Sequence, residues 1–390
     1  MQRYPSPRFP NSSTSSSDIA MTLKQFVIRF ACGYALLMIA IGIFNRVVDP
    51  AWYYREVEIK GFNAVKPEYL SFERTVKPAL LRRYQPEAII LGSSYSEIGF
   101  DPKNANFTDN GKLESMNFAF ARASWPEVQC AFEFALKHSQ IKRAVIGIHL
   151  GNLPISDCEQ SFAPLRHFNA VEALFTYSAL EYSIKTLNNQ KESDITHTND
   201  GRFFYNRARN PIPFFINGLK ARSSGCNRNL TDKKTVRTDF EKKLNLSGLQ
   251  RMIDSAKAQD VELVIFAYPK HAYLLELEML CDRQEAEWHN MNQIAATIDA
   301  ESDGEYKAWH FYGYNDVFAQ PVRKTKGLWQ DARHFNYEVG NLMLADMFDQ
   351  SRSPTYARPL DMKYTDFLRE RAAYLRRHPE FRAEMRRVFR

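Results

Sequence analysis

The chain has 390 residues, of which 44% are hydrophobic and 13% aromatic, so it can bury a substantial core and is not intrinsically disordered as a whole. Its formal net charge is +7, but the basic residues form no recognisable nucleic-acid-reading motif, so nucleic acid is not an expected partner. No CxxC pair or Cys/His spacing typical of a metal site occurs, and we expect neither a metal nor another cofactor.

The N-terminal part of the chain predicts a membrane anchor. Residues 1–25 are rich in serine and proline and predict a disordered cytoplasmic segment. Residues 26–48 are mostly apolar, and their uncharged core is flanked by Arg29 and Arg46, whose long side chains can reach the headgroup layers. We therefore predict a single transmembrane helix over 26–48.

A cleaved signal peptide and a buried core helix are the competing interpretations of this stretch. No A-x-A cleavage site follows it, and the next aromatic residues, Trp52, Tyr53 and Tyr54, are typical of a membrane interface. Lysine and arginine are slightly more frequent before the stretch than after it, which favours a cytoplasmic N-terminus. The body is then expected outside the inner membrane, in the periplasm of a Gram-negative cell.

The rest of the chain alternates helices and strands as α/β domains do. Residues 49–84 predict a stalk and a lead-in helix, and residues 85–350 predict the main α/β domain, interrupted by an insertion at 152–243. Residues 351–390 predict a basic helical tail. Its arginines are either exposed to solvent or in contact with anionic lipid headgroups. Strands are predicted at 88–91, 115–118, 143–149, 261–268 and 308–311.

The insertion and the cysteines each leave two interpretations open. The insertion interleaves arginine with aromatic residues, which suits an anionic or sugar polymer but also an insertion whose phenylalanines pack onto the sheet. Outside the predicted membrane helix, which holds Cys32, four cysteines remain. They can form two disulfides in three pairings, or stay reduced. The four are Cys130, Cys158, Cys226 and Cys281.

The turn after the first strand carries the candidate nucleophile. The apolar strand ends at Gly92-Ser93-Ser94, and ligands in open α/β sheets bind outside the carboxyl ends of the strands. A serine hydroxyl needs a base and a group that orients the base. Asp331 and His334 stand three residues apart, just before the pattern of a late helix. The sequence therefore predicts a triad of Ser94, His334 and Asp331.

Either motif alone occurs often by chance, so the prediction depends on their order and context. The turn is not the nucleophile elbow of lipases, because Ser96 stands where that motif needs glycine. An early strand followed by Gly-Ser-Ser, with Asp-x-x-His before a late helix, resembles the SGNH (GDSL-like) hydrolase and acyltransferase superfamily over residues 85–348. The resemblance implies a three-layer α/β sandwich with a mainly parallel, flavodoxin-like sheet. It also implies that Ser94 is the nucleophile, His334 the general base and Asp331 its partner.

Two blocks depart from the superfamily's pattern. The second keeps Asn117 but lacks both glycines, and Arg122 stands where a backbone N–H would contribute to an oxyanion hole. The third is shifted, and Asn152 is the candidate side-chain donor to the oxyanion. His271 follows a strand end and is a candidate substrate-binding residue in the same cleft, with a structural role as the alternative.

One N-terminal span followed by an exported serine domain is similar to D-alanyl transfer proteins and polysaccharide O-acetyltransferases. That similarity implies a membrane-anchored O-acyltransferase, with acetyl as the expected group, acting on a cell-envelope polysaccharide beside a multi-span membrane acyltransferase. With water as the acceptor, the same residues make a carbohydrate or lipid esterase. A third interpretation is a catalytically degenerate glycan-binding subunit. The sequence does not name the acyl group or the acceptor.

Overall fold

The computed structural model describes residues 16–161, 169–191, 197–203, 212–229, 243–281, 283–322, 327–349 and 351–388. This part of the chain is an α/β protein with one six-stranded, mostly parallel sheet and a long apolar N-terminal helix. The strands are β1 (Ala88–Leu91), β2 (Ser115–Asn117), β3 (Arg143–Ile148), β4 (Glu262–Ala267), β5 (Lys307–His310) and β6 (Arg358–Pro359).

Fourteen helices lie within the described ranges, and the first of them is the N-terminal apolar helix. Before the insertion come α1 (Ser16–Val48), α2 (Tyr69–Tyr84), α3 (Ser94–Gly99) and α4 (Trp125–His138). The insertion contains α5 (Cys158–Ser161), α6 (Ala170–Phe175), α7 (Tyr177–Asn188) and α8 (Ile212–Asn229). The last six are α9 (Ser247–Lys257), α10 (Ala272–Leu280), α11 (Gln284–Ser302), α12 (Tyr337–Phe348), α13 (Tyr364–Arg377) and α14 (Pro379–Val388).

The sheet has the strand order β2-β1-β3-β4-β5-β6. Strands β1 to β5 are parallel, and β6 pairs antiparallel with β5. All four residues of β1 are buried, as a strand covered on both faces requires. The order reverses between β1 and β3, and the crevice at such a reversal, outside the carboxyl ends of the strands, is where open α/β sheets bind ligands.

The five predicted strands are confirmed to within a few residues at each end. Strand β6 was not predicted, because two residues carry no readable periodicity. The predicted lead-in helix is α2. The predicted disordered segment is wrong from Ser16 onward, where α1 begins, and residues 1–15 lie outside the described ranges.

Helix α1 contains one stretch, Thr22–Val48, that is long and apolar enough to cross a membrane. Only 6% of its most apolar 18-residue window is buried by the rest of the protein. A core helix of a water-soluble domain would be mostly covered, so the competing interpretation of a buried core helix does not fit this structure.

The segment after α1 is not a free stalk, in contrast to the prediction. Asp49 is buried, and its carboxylate accepts hydrogen bonds from the backbone N–H groups of Tyr53, Tyr54 and Arg55 at 2.7, 3.0 and 2.8 Å. The Trp52 ring is 3% exposed. The chain therefore turns sharply at the end of α1 and packs against the body.

The insertion is partly described. The Arg- and aromatic-rich stretch 204–211 lies outside the described ranges, but Phe215 is buried and its ring lies edge-on to His271 at 4.7 Å. Phe215 therefore packs into the core, as the second interpretation expects of the phenylalanines, but its ring contacts are with His271 and Tyr273 at the start of α10 and not with the sheet. A disulfide joins Cys130 of α4 to Cys158 of α5.

Two glycines bring α3 and α12 together. A Cβ on Gly340 would lie 1.8 Å from the carbonyl oxygen of Gly99, so the backbones touch at this point. We expect Gly340→Ala to push the helices apart and to lower the free energy of unfolding by about 1–3 kcal/mol, the usual cost of overpacking. Thermal unfolding in detergent measures this cost.

The matched control for this substitution is Gly218→Ala in α8, where an added Cβ meets nothing within 4 Å. We expect this variant to keep or slightly raise the stability, because alanine is a better helix former than glycine. Equal unfolding midpoints for the two variants would contradict the close-packing argument.

Candidate active site

The turn after β1 places a serine at the carboxyl edge of the sheet. Gly92 has φ of +140°, and a Cβ there would lie 2.2 Å from the Tyr268 hydroxyl oxygen, so only glycine fits. The Ser93 N–H donates to that hydroxyl at 2.7 Å. Helix α3 then begins at Ser94, which is half-buried.

The structure brings the three predicted triad residues into one hydrogen-bonded chain. The Ser94 Oγ lies 3.0 Å from His334 Nε2, and His334 Nδ1 lies 2.7 Å from Asp331 Oδ2. The carboxylate accepts the Nδ1–H, which leaves Nε2 free to accept the serine proton. This is the arrangement that activates a serine hydroxyl as a nucleophile.

Asp331 is held in place by its own turn. Its Oδ1 accepts the backbone N–H groups of Arg333 and His334 at 2.7 and 2.8 Å. Burial by itself would raise the pKa of Asp331, but the hydrogen bonds and charge of the neighbouring groups, above all His334, outweigh burial and lower the pKa. The carboxylate therefore stays ionised at neutral pH and favours a protonated imidazole during a reaction.

Three ring side chains, which follow β1, β3 and β4, stack against one another beside His334. The Tyr95 ring stacks on His334 at 4.8 Å and on Tyr268 at 4.6 Å, and the His149 ring lies 4.8 Å from Tyr268. Burial, followed by the nearby cations Lys270 and Arg333, lowers the pKa of His149. Sequence reasoning missed His149, although it follows β3 at the same sheet edge as Ser94.

Asn117 clamps the far end of α3. Its Nδ2 donates to the carbonyl oxygens of Ser96, Glu97 and Phe100 at 3.1 to 3.3 Å, and its Oδ1 accepts the Ala119 N–H. The Ser96 and Glu97 carbonyls also accept the backbone N–H groups of Phe100 and Phe203, so the amide adds a further donor to each of them. The asparagine of the second block is therefore a structural residue that fixes the serine-bearing helix.

A buried ionic cluster joins α2, α3 and the loop after β2. The Lys77 Nζ lies 2.7 Å from Glu97 Oε1 and 3.4 Å from Glu73 Oε2, and it also donates to the Ala119 carbonyl. The Glu73 carboxylate accepts the Ala121 N–H at 3.1 Å. The cluster therefore fixes the backbone of the loop from both sides.

The same cluster has the spacing of a metal site, since ligand atoms of Glu73, Glu97 and His197 lie within 4.8 Å of one another. The Lys77 ammonium, however, already supplies positive charge between the two carboxylates. Burial, the largest influence, raises the pKa of Glu73 to about 7 and lowers that of His197 to about 3. We therefore interpret the cluster as an ion-pair network that positions the loop.

Arg122 lies on that loop in a left-handed conformation, with φ of +58° and an exposed side chain. The loop is tied to the serine turn by the Phe120 N–H, which donates to the Gly92 carbonyl at 3.2 Å. Within the described ranges, the backbone N–H groups of Ser94 and Arg122 have no acceptor. Both remain candidate oxyanion donors.

Asn152 does not contact the triad within the described ranges. Its Oδ1 accepts the Asn245 N–H at 2.8 Å, and the Leu153 N–H donates to the Asn245 carbonyl. The side chain thus fastens the chain after β3 to the residues before α9, and its predicted role as an oxyanion donor gains no support from this position.

His271 lies in the core and not in the cleft, so the prediction that it binds substrate is wrong. It is fully buried, its Nε2–H donates to the Gln320 carbonyl at 2.8 Å, and its Nδ1 accepts the Tyr273 N–H. Its backbone N–H donates to the Ala332 carbonyl, inside the Asp331-x-x-His334 turn. His271 therefore caps α10 and supports the turn from behind.

We expect His271 to make the protein sensitive to acid. Burial lowers its pKa to about 4, whereas an unfolded histidine titrates near 6.5, so the unfolded state takes up the proton first as the pH falls. Stability is therefore present above pH 6.5 and lost between about 6.5 and 4, by about 3 kcal/mol for this group. His271→Asn keeps a cap but cannot titrate, and should reduce that loss.

Thermal unfolding between pH 4.5 and 7 measures the change. The matched control is His289→Asn, at an exposed histidine of α11, which should leave the pH dependence of the unfolding midpoint as in the parent. An unchanged slope in His271→Asn would show that this imidazole does not carry the acid sensitivity.

Comparisons with known proteins found no match from which a function could be assigned. No protein-family model matches the chain, and no curated protein is similar enough to match it. Since folds of this kind host many activities, a function has to be argued from the geometry of the residues.

Proposed function

We propose that this protein is a membrane-anchored serine O-acyltransferase that acylates a cell-envelope polysaccharide through an acyl-serine. The observation that carries the proposal is the continuous chain from Ser94 through His334 to Asp331 at the carboxyl edge of the sheet. We also propose that the sheet forms the middle of a three-layer sandwich of SGNH type. The flavodoxin-like order of its five parallel strands supports this.

The proposed reaction has two halves. Ser94 Oγ attacks the carbonyl carbon of an acyl donor while His334 Nε2 takes the hydroxyl proton, and the tetrahedral intermediate collapses as the imidazolium protonates the leaving group. An acceptor hydroxyl then gives its proton to Nε2 and attacks the acyl-serine, and the imidazolium returns a proton to Ser94 Oγ. Asp331 stabilises the imidazolium in both halves.

The oxyanion of each tetrahedral intermediate needs hydrogen-bond donors. We propose the backbone N–H groups of Ser94 and Arg122, because a left-handed non-glycine residue is costly and such strain concentrates at functional sites. The use of a backbone group also explains how position 122 can hold arginine where the superfamily's second block has glycine. The backbone N–H is the group the chemistry uses, and every residue except proline supplies it.

Arg122→Gly tests the role of the backbone. It keeps the N–H and removes the strain of about 1 kcal/mol, so we expect ester turnover within a few-fold of the parent and equal or higher stability. The control, Arg122→Ala, keeps both the N–H and the strain. A loss of turnover of about 100-fold in both variants would instead assign the function to the guanidinium.

Three observations support an exported body and a membrane-bound setting. Helix α1 can span a membrane, basic residues favour the cytoplasmic side for the N-terminus, and the Cys130–Cys158 disulfide suits an oxidising compartment. We propose the periplasmic face of an inner membrane and, as acyl source, a multi-span membrane acyltransferase. No proposed step needs a cofactor.

The second candidate function is an exported esterase. It is favoured by the access of water, since the His334 and Asp331 side chains are 23% and 27% exposed. To separate the two functions, we would supply p-nitrophenyl acetate with and without polysaccharide fragments and measure both p-nitrophenol and acylated glycan. Glycan acylation that competes with hydrolysis supports transfer, hydrolysis alone supports the esterase, and neither product from folded protein supports a binding subunit.

A further inference from the structure

The exposed apolar side chains outside α1 are not evenly distributed. Nine large ones are exposed within the described ranges, and four of these lie on the short helical pair α6 and α7. Their exposed fractions run from 41% to 80%, values at which isolated apolar residues are tolerated but a cluster marks a contact surface. The four are Val171, Phe175, Tyr177 and Ile184.

This helical pair is attached to the end of α1. The Phe175 ring fills the space beside Gly42, where an added Cβ would lie 2.8 Å from Phe175 Cε1. The Asn45 Nδ2 donates to the Leu174 carbonyl at 2.7 Å, and the Tyr54 hydroxyl donates to the Ala170 carbonyl at 3.0 Å. Helix α6 therefore lies alongside the last turns of α1.

The position along α1 sets the depth of these contacts. The apolar stretch Thr22–Val48 has 27 residues, and at about 1.5 Å per residue it is about 40 Å long. The hydrocarbon layer is about 30 Å thick, so about 20 residues centred on this stretch, 25–45, fill it. Gly42 falls inside that range, near its outer edge. Phe175, in contact with Gly42, must lie at the same level.

We propose that α6 and α7 form a second membrane-contacting surface, which inserts its exposed apolar side chains into the outer lipid leaflet beside α1. The occupant of this surface is the lipid bilayer, because the surface is continuous with the lipid-facing side of α1. The opposite sides of the two helices carry buried small residues that face the body, including Ala173, Ala179 and Ser183. Such a two-sided pattern is typical of interfacial helices.

The second contact would hold the body in one orientation on the membrane. The Tyr182 ring of α7 stacks on Phe72 of α2 at 4.6 Å, and α2 carries Glu73 and Lys77 of the cluster that fixes the loop near Ser94. A rigid connection thus runs from the lipid surface towards the triad. The inference depends on α1 spanning the membrane and does not depend on the proposed acyl transfer.

Site-directed spin labelling of the full chain in phospholipid nanodiscs tests the proposal. Cys32 is free and exposed on α1, so a nitroxide on the native chain supplies the lipid reference. With Cys32→Ser as background, Val171→Cys and Tyr177→Cys report on the surface. Arg369→Cys reports on α13, where the native side chain is 79% exposed. Equal thermal unfolding midpoints show that each variant is folded.

Accessibility to oxygen and to a water-soluble nickel chelate distinguishes three environments, because oxygen concentrates in lipid and the chelate in water. We expect labels at 171 and 177 to be several-fold more accessible to oxygen than to the chelate, as at Cys32, and the label at 369 to show the reverse. Higher accessibility to the chelate at 171 and 177 would place the surface in water and overturn the proposal. Low accessibility to both reagents would mean a protein contact, such as a second copy, and would also overturn it.

Discussion

Ser94→Ala is expected to abolish acyl-enzyme formation. When the full chain in detergent is mixed with p-nitrophenyl acetate, intact mass should show one acetyl adduct in the parent and none in the variant. Turnover should fall by about 10⁶, the loss seen when a triad serine is removed, because the oxygen that bonds to the acyl carbon is gone. Stability should stay near that of the parent, since Ser94 is half-buried and alanine keeps the helix.

The adjacent serine supplies the matched control. Ser93 is buried, and the serine hydroxyl that lies within hydrogen-bond distance of His334 is that of Ser94, so Ser93→Ala should retain the adduct and the turnover. An adduct that survives in Ser94→Ala and disappears in Ser93→Ala would show that the nucleophile is Ser93, and the assignment to Ser94 would be wrong. A folded parent with neither adduct nor turnover would favour the glycan-binding subunit.

Asp331→Asn should lower turnover by about 10⁴ while leaving the fold intact. The amide can still accept the backbone N–H groups of Arg333 and His334, so the turn should keep its shape. It cannot stabilise an imidazolium, and its NH₂ group favours the wrong tautomer of His334. Steady-state hydrolysis of p-nitrophenyl acetate between pH 6 and 9 measures the loss.

The control substitution is Asp303→Asn at the end of α11. Its side chain is 86% exposed and its backbone is left-handed, which asparagine tolerates well, so activity and stability should both stay at the parent level. A loss below about tenfold in Asp331→Asn would show that His334 works without the carboxylate. The triad would then reduce to a Ser94–His334 pair.

Much of the fold could be read from local patterns. The strands β1, β3 and β4 are runs of apolar residues between turn residues, and burial on both faces of a sheet requires such runs. The choice of Ser94, Asp331 and His334 as candidate site residues also follows from sequence. Ser94 stands at the end of a predicted strand, and Asp331 and His334 stand just before a predicted helix.

Other features have no local signal. The Lys77 side chain lies on α2 and meets Glu97 of α3 only because the sheet brings the two helices together. His271 was expected near Ser94 because it follows a strand end, and Asn152 because it resembles the asparagine of the superfamily's third block. The positions of both side chains depend on what packs around them. The prediction of a stalk after α1 is wrong for the same reason, since Asp49 and Trp52 are buried against the body.

The sequence by itself determined the apolar N-terminal helix, the five parallel strands and the serine, aspartate and histidine predicted to act together. These properties depend on periodicity, on the side chains that follow strand ends and on the chemistry of three residue types. Only the tertiary structure decided that Ser94 and His334, 240 residues apart, lie 3.0 Å from each other, and that α6 and α7 lie beside α1. The physical reason is that distances across a sheet, and contacts between helices, are set by packing of the whole chain, which no short stretch of sequence encodes.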